Sequence, residues 1–173
     1  MNQSKRIALC GLLTALALAL SLAERMIPIA WIIPIPGIKL GLANVVTMFA
    51  LLFLSPKEAY SILFCRVMLA SLFAGSVTQL LFSMCGGMLA LTTTWILLHR
   101  YNTWFSFYGI SAASAAMHNV GQILAAMLVM QTTSVIAYLP LLLVSAIPMG
   151  LLTGAILQAL YRHMNRLKLD IRF

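Results

Sequence analysis

Arg66 stands inside the apolar run Ser61-Ile62-Leu63-Phe64-Cys65-Arg66-Val67-Met68-Leu69-Ala70. A guanidinium at mid-membrane costs at least about 2.5–3.5 kcal/mol on insertion scales, so it must face the protein interior and find partners. The sequence puts no carboxylate opposite it: Glu24 is expected at the outer edge, and Glu58 and Asp170 inside. An arginine without a counter-ion leaves that role to a ligand or to backbone carbonyls. Together with Lys39 it implies a site for an anionic or strongly polar group. Asn44, Gln79, Asn119 and Gln122 add neutral donors and acceptors, and Asn119 and Gln122, three apart, share a helical face. Trp31, among isoleucines, reads as a pocket lid or an interfacial aromatic. The expected substrate-binding set is Trp31, Lys39, Asn44, Arg66, Gln79, Asn119 and Gln122. The competing reading is structural: Arg66 snorkels inward, and each amide makes an interhelical hydrogen bond worth about 0.6 kcal/mol.

Catalysis finds little support, and no catalytic residue is assigned. Metal-dependent prenyl or phosphoryl transfer needs clustered carboxylates to hold Mg²⁺ around a diphosphate. Glu24, Glu58 and Asp170 are too far apart for that, and no Walker-type loop is present. Cys10, Cys65 and Cys85 lack CxxC spacing, and His99, His118 and His163 are scattered, so no metal or cofactor is expected.

The stretch that positions these groups is Pro34-Ile35-Pro36-Gly37-Ile38-Lys39-Leu40-Gly41-Leu42-Ala43-Asn44. Proline and glycine break regular structure, and a lysine at the mouth of an apolar helix snorkels or serves a ligand. We read it as the lip of a site whose walls are the remaining segments.

Those segments are membrane helices. Of 173 residues, 62% are hydrophobic and 8% charged, against about 25% charged in a soluble domain. The mean hydropathy is +1.01. One all-α integral membrane domain over residues 1–173 is expected, with helices near 5–23, 38–54, 55–74, 77–98, 104–130 and 135–161. The net charge of +8 comes from loop and terminal residues and argues for topology rather than nucleic acid. Six helices put both termini on one side. With that side cytoplasmic, Lys5, Arg6, Lys57, Arg100, Arg162, Arg166, Lys168 and Arg172 lie inside, and Arg25 and Lys39 outside. The first run resembles a signal peptide, and Ser21-Leu22-Ala23 fits a cleavage pattern, but its length favours a retained helix.

Local punctuation supports these boundaries. Ser55-Pro56-Lys57-Glu58 is a capping box with proline at the first helical position. Ala74-Gly75-Ser76 predicts a tight turn, Gly86-Gly87 a packing notch or bend, and Pro140 or Pro148 a kink in the last helix. In the first helix, Gly11, Ala15 and Ala19 repeat every four residues and share one face. That face serves either packing within the bundle or docking of another membrane subunit.

The six-helix pattern, the small-residue first helix and the Pro34-Gly37-Lys39-Gly41-Asn44 lip resemble the Gx transporter group over about residues 5–165. That group is related to the S components of energy-coupling factor transporters. More narrowly, the chain resembles the branch labelled heptaprenyl diphosphate synthase component I. The resemblance implies an S-component-like bundle in the cytoplasmic membrane that captures a small polar or anionic solute from outside. It would dock through its first helix, with Ala15 and Ala19 matching an A-x-x-x-A contact, onto a transmembrane coupling protein driven by two ATPases. S components differ in their ligands, so the site residues rest on the local reading. The synthase label implies another role: a non-catalytic membrane partner of a prenyl diphosphate synthase, since the aspartate-rich motifs of such enzymes are missing.

Overall fold

A computed structural model describes residues 2–26, 41–100 and 105–166. Trp31 and Lys39 lie outside the described residues, as does most of the lip. The described chain forms α1 (Gln3–Met26), α2 (Leu42–Phe53), α3 (Pro56–Ala74), α4 (Val77–Leu98), α5 (Phe107–Met130) and α6 (Leu139–Arg166). A 3₁₀ turn, Ser134–Tyr138, precedes α6.

The helix starts follow the residues that cap them. The hydroxyl of Ser55 accepts from the Glu58 amide, and the Glu58 carboxylate accepts from the Ser55 amide at 2.7 Å, completing the expected box. Ser76 caps α4 and Ser106 caps α5 in the same way, each from its own hydroxyl. Gly75, at φ 60, closes α3 in the left-handed region that glycine tolerates, giving the tight turn.

Three expected boundaries move. Described α2 begins at Leu42 rather than 38, after Gly41 in the left-handed region at φ 78. The last α-helix begins at Leu139 rather than 135, because the chain first takes the 3₁₀ turn, and it runs on to Arg166. Pro140 falls in its first turn, where the missing N–H has no helical partner to lose. Pro148 is the proline inside the helix.

The helices form two groups, joined by α2 and by direct packing of α3 on α4. α1 and α3 flank α2 on one side, while α2 also touches α4 and α6. Eight of its twelve residues are buried, including Ala50, Leu51 and Leu52, so this short helix is the centre of the core. On the other side α4, α5 and α6 pack with backbones in near contact. A Cβ on Gly121 would lie 2.6 Å from the Cys85 carbonyl oxygen, and one on Gly150 2.4 Å from the Ala112 Cα. Gly86 belongs to the first of these crossings, which makes it a notch in a continuous helix rather than a bend. Small residues allow such approach where van der Waals packing replaces hydrophobic driving force.

Arg6 and Glu58 tie α1 to α3. Arg6 Nε donates to Glu58 Oε1 at 2.9 Å and Nη2 to Oε2 at 2.8 Å. Glu58 thus holds both a helix cap and an ion pair. Glu58→Ala should lower stability by about 1–2 kcal/mol, mostly through the cap, because the pair is partly exposed. Thermal unfolding in detergent measures it; an unchanged midpoint would show that the cap is replaceable.

Phe64, Leu72, Phe73, Leu128, Val144 and Ile147 are all exposed, which suits lipid and not water. Among the described residues, four helical stretches are long and apolar enough to cross a membrane: Gln3–Glu24, Val77–Leu98, Phe107–Met130 and Ser134–Arg166. α2 is apolar but shorter, and α3 carries Lys57, Glu58 and Arg66.

Candidate functional site

Arg66 projects from the middle of α3 into the protein and is only 7% exposed. Its Nη2 donates to Asn44 Oδ1 at 2.7 Å, and its Nη1 reaches Ser21 Oγ at 3.4 Å. Two sequence-predicted site residues, Arg66 and Asn44, are therefore brought together. Nε of Arg66 is buried and meets no acceptor among the described residues.

The partners come from two helix ends. Ser21 and Glu24 occupy the last turns of α1, and Gly41 and Asn44 the start of α2. Ser21 lies about 22 Å along α1 from Arg6 at 1.5 Å per residue, so the cluster sits far from the Arg6–Glu58 end. Thr153 of α6 adds a wall: its methyl would stand 3.7 Å from a Cβ placed on Gly41.

Glu24 corrects the sequence reading. It lies near the end of α1, as expected, but the start of α2 stands beside it. Glu24 Oε1 accepts from the Leu42 amide at 2.6 Å, placing a carboxylate at the N-terminus of α2, where the helix dipole favours it. Its negative charge also acts on Arg66 through space. What the sequence hid was proximity across 18 residues, half of them in the lip.

The other predicted residues stand elsewhere. Asn119 of α5 donates from Nδ2 to the Leu142 carbonyl of α6 at 2.7 Å, an interhelical brace. Gln79, in the first turn of α4, and Gln122, on α5, are partly buried and make no side-chain hydrogen bond among the described residues. The α5 backbone runs beside α4, α6 and the 3₁₀ turn and not beside α1, α2 or α3. Thr94 and Ser114, which sequence reasoning passed over, form a buried hydroxyl pair between α4 and α5 at 3.0 Å. Alternating small and polar residues are so common in these helices that nothing in their spacing singled this pair out.

The cluster gathers a guanidinium, an amide, a hydroxyl and a helix N-terminus that the Glu24 carboxylate already caps. Nothing in it resembles a catalytic set. Among the described residues no three His, Cys, Asp or Glu side chains gather to hold a metal ion.

No curated protein and no solved structure matches the chain. A family model described as heptaprenyl diphosphate synthase component I matches residues 13–160, from within α1 to near the end of α6. That span takes in α2 to α5, part of α1, most of α6 and the whole Arg66 cluster, and the chain belongs to the heptaprenyl diphosphate synthase component I family.

Proposed function

We propose that the chain is the non-catalytic membrane component of a prenyl diphosphate synthase, working beside a separate synthase subunit. The observation that carries this is the family match over nearly the whole chain. The described carboxylates support the non-catalytic part: Glu24 caps α2 and Glu58 caps α3 while pairing with Arg6. A metal-bound diphosphate needs carboxylates in a cluster, so the chemistry falls to the partner. In this reading the chain crosses the cytoplasmic membrane six times with both termini inside.

The partner-facing surface we propose is the small-residue side of α1. Gly11, Ala15 and Ala19 are exposed, and a Cβ on Gly11 would meet nothing within 4 Å. Among the described residues, α1 packs on α2 and α3 and on no other helix. The double variant Ala15→Leu/Ala19→Leu should keep the thermal midpoint and lower partner recovery several-fold. Equal recovery would move the docking face elsewhere.

A second reading is favoured by one observation, the buried Arg66 with its unfilled Nε beside Asn44. It makes the chain the solute-binding subunit of an uptake system, energised by a coupling protein and paired ATPases. One experiment separates the two. Affinity purification in mild detergent should recover a prenyl diphosphate synthase subunit without ATPases, and deletion of the chain should change product length. Recovery of a coupling protein and two ATPases would replace the first reading with the second.

A further inference from the structure

We propose that the groove at the end of α4, lined by Trp95, Ile96, His99 and Arg100, is a headgroup site for an anionic phospholipid. These residues stand one and four apart, so they share one face, and the groove on it has a volume of about 290 Å³. His99, which ends α4, keeps helical angles at φ −64 and ψ −17, so that face continues past Leu98. The groove lies at the Arg6–Glu58 end of the bundle. Tyr60, two residues after Glu58, shares a hydroxyl hydrogen bond with Thr92 at 2.6 Å, and α4 runs on from there to the groove.

The walls tell which phase the groove faces. Trp95 is 37% exposed and Ile96 57%, on the stretch Val77–Leu98, which is long and apolar enough to cross a membrane. Side chains exposed on such a helix meet acyl chains, and a tryptophan near its end belongs at headgroup level. Within one turn the lining changes to exposed His99 and Arg100. The Arg100 guanidinium can hold two oxygens of one phosphate together. An acidic protein surface would use the same cation but leave Trp95 and Ile96 without a role, so lipid is the occupant that fits the whole groove. Its volume is that of roughly ten waters, which takes a phosphate and its headgroup alcohol and leaves the acyl chains in the bilayer beside Ile96.

Local structure prepares the site. His99 Nδ1 lies 2.8 Å from the Trp95 carbonyl oxygen, and since a carbonyl only accepts, Nδ1 is the donor. That bond satisfies one of the last carbonyls of α4, and the two rings meet edge to face at 5.7 Å. The helix C-terminus opposes an anion with about half a negative charge, which the full charge of Arg100 outweighs.

This inference goes beyond the readings above and needs neither partner, only the bilayer. The test is quenching of Trp95 by brominated lipid. The full chain carrying Trp31→Phe and Trp104→Phe, with Trp95 as its remaining tryptophan, is reconstituted in dioleoylphosphatidylcholine vesicles. Brominated phosphatidylglycerol, which is anionic, is added in one series and brominated phosphatidylcholine in the other. The anionic lipid should reach half-maximal quenching at a mole fraction about fivefold lower, the effect of one basic side chain beside an anionic headgroup. Arg100→Gln should remove that preference, and Arg100→Lys should retain part of it. Lys57→Gln, which removes an exposed cation outside the groove, should leave it unchanged. Equal quenching by the two lipids overturns the proposal and leaves Arg100 to an acidic protein surface. A preference that survives Arg100→Gln, or that Lys57→Gln lowers equally, also overturns it, since diffuse surface charge would then be the cause. Native mass spectrometry of the unsubstituted chain from mixed micelles reads the same choice with every tryptophan in place: phosphatidylglycerol should be retained over phosphatidylcholine, and equal retention overturns the proposal.

Discussion

Gly150→Ala is expected to destabilise the protein by about 2–3 kcal/mol, although alanine is the better helix former by about 1 kcal/mol. The reason is the identity of the neighbour. The added carbon would lie 2.4 Å from the Ala112 Cα and 2.8 Å from its amide nitrogen, and backbone cannot swing aside as a side chain can. One turn on, Gly154 faces the Tyr108 Cα at 2.9 Å, so α6 cannot slide along its own axis to make room. α5 and α6 would have to separate, and the brace from Asn119 to the Leu142 carbonyl would lengthen with them.

Two glycines of the same chain supply the controls. At Gly87 the added carbon would meet Leu63 Cδ1 at 2.7 Å, the far end of a flexible side chain, and the cost should stay near 1 kcal/mol. At Gly11 it meets nothing within 4 Å, and alanine should stabilise by up to about 1 kcal/mol. Thermal unfolding of the three single variants in one detergent gives the order. A Gly150→Ala variant as stable as Gly11→Ala would mean that α5 and α6 stand further apart than described.

These glycines also show where sequence reading stops. The Ser55 box, the Gly75 turn and the central arginine were legible because each is encoded within a few residues and follows from local backbone chemistry. Gly150 and Gly154 were not, since the chain is rich in small residues and only the crossing of two helices makes these two indispensable. Asn119 was legible as a polar residue needing a partner, but its partner is a backbone carbonyl, which any sequence supplies. Arg66 and Asn44 were picked for their chemistry, and their meeting depends on α2 folding back along α1. Glu24 was passed over as a counter-charge for that reason. Its apparent isolation came from reading along the chain across the lip, and the helix ends on either side bring it back.

Glu24→Leu should cost about 3 kcal/mol or more, and Arg66→Met should recover much of that loss when added to it. Two effects make up the first loss. The Leu42 amide loses its carboxylate cap, worth about 0.5–2 kcal/mol. Arg66 also keeps its buried charge while the through-space attraction of Glu24, which forms no direct ion pair with it, disappears, a loss of about 2 kcal/mol. Only the second effect is reversed by Arg66→Met, which fills similar volume without a charge. A double-mutant cycle should therefore show coupling of about 2 kcal/mol between the two positions. Zero coupling would reduce Glu24 to a cap and leave the Arg66 charge balanced by Asn44 and Ser21 alone. With coupling of the expected size, the arginine is a charge the fold supports at a cost, stabilised in part by its own glutamate.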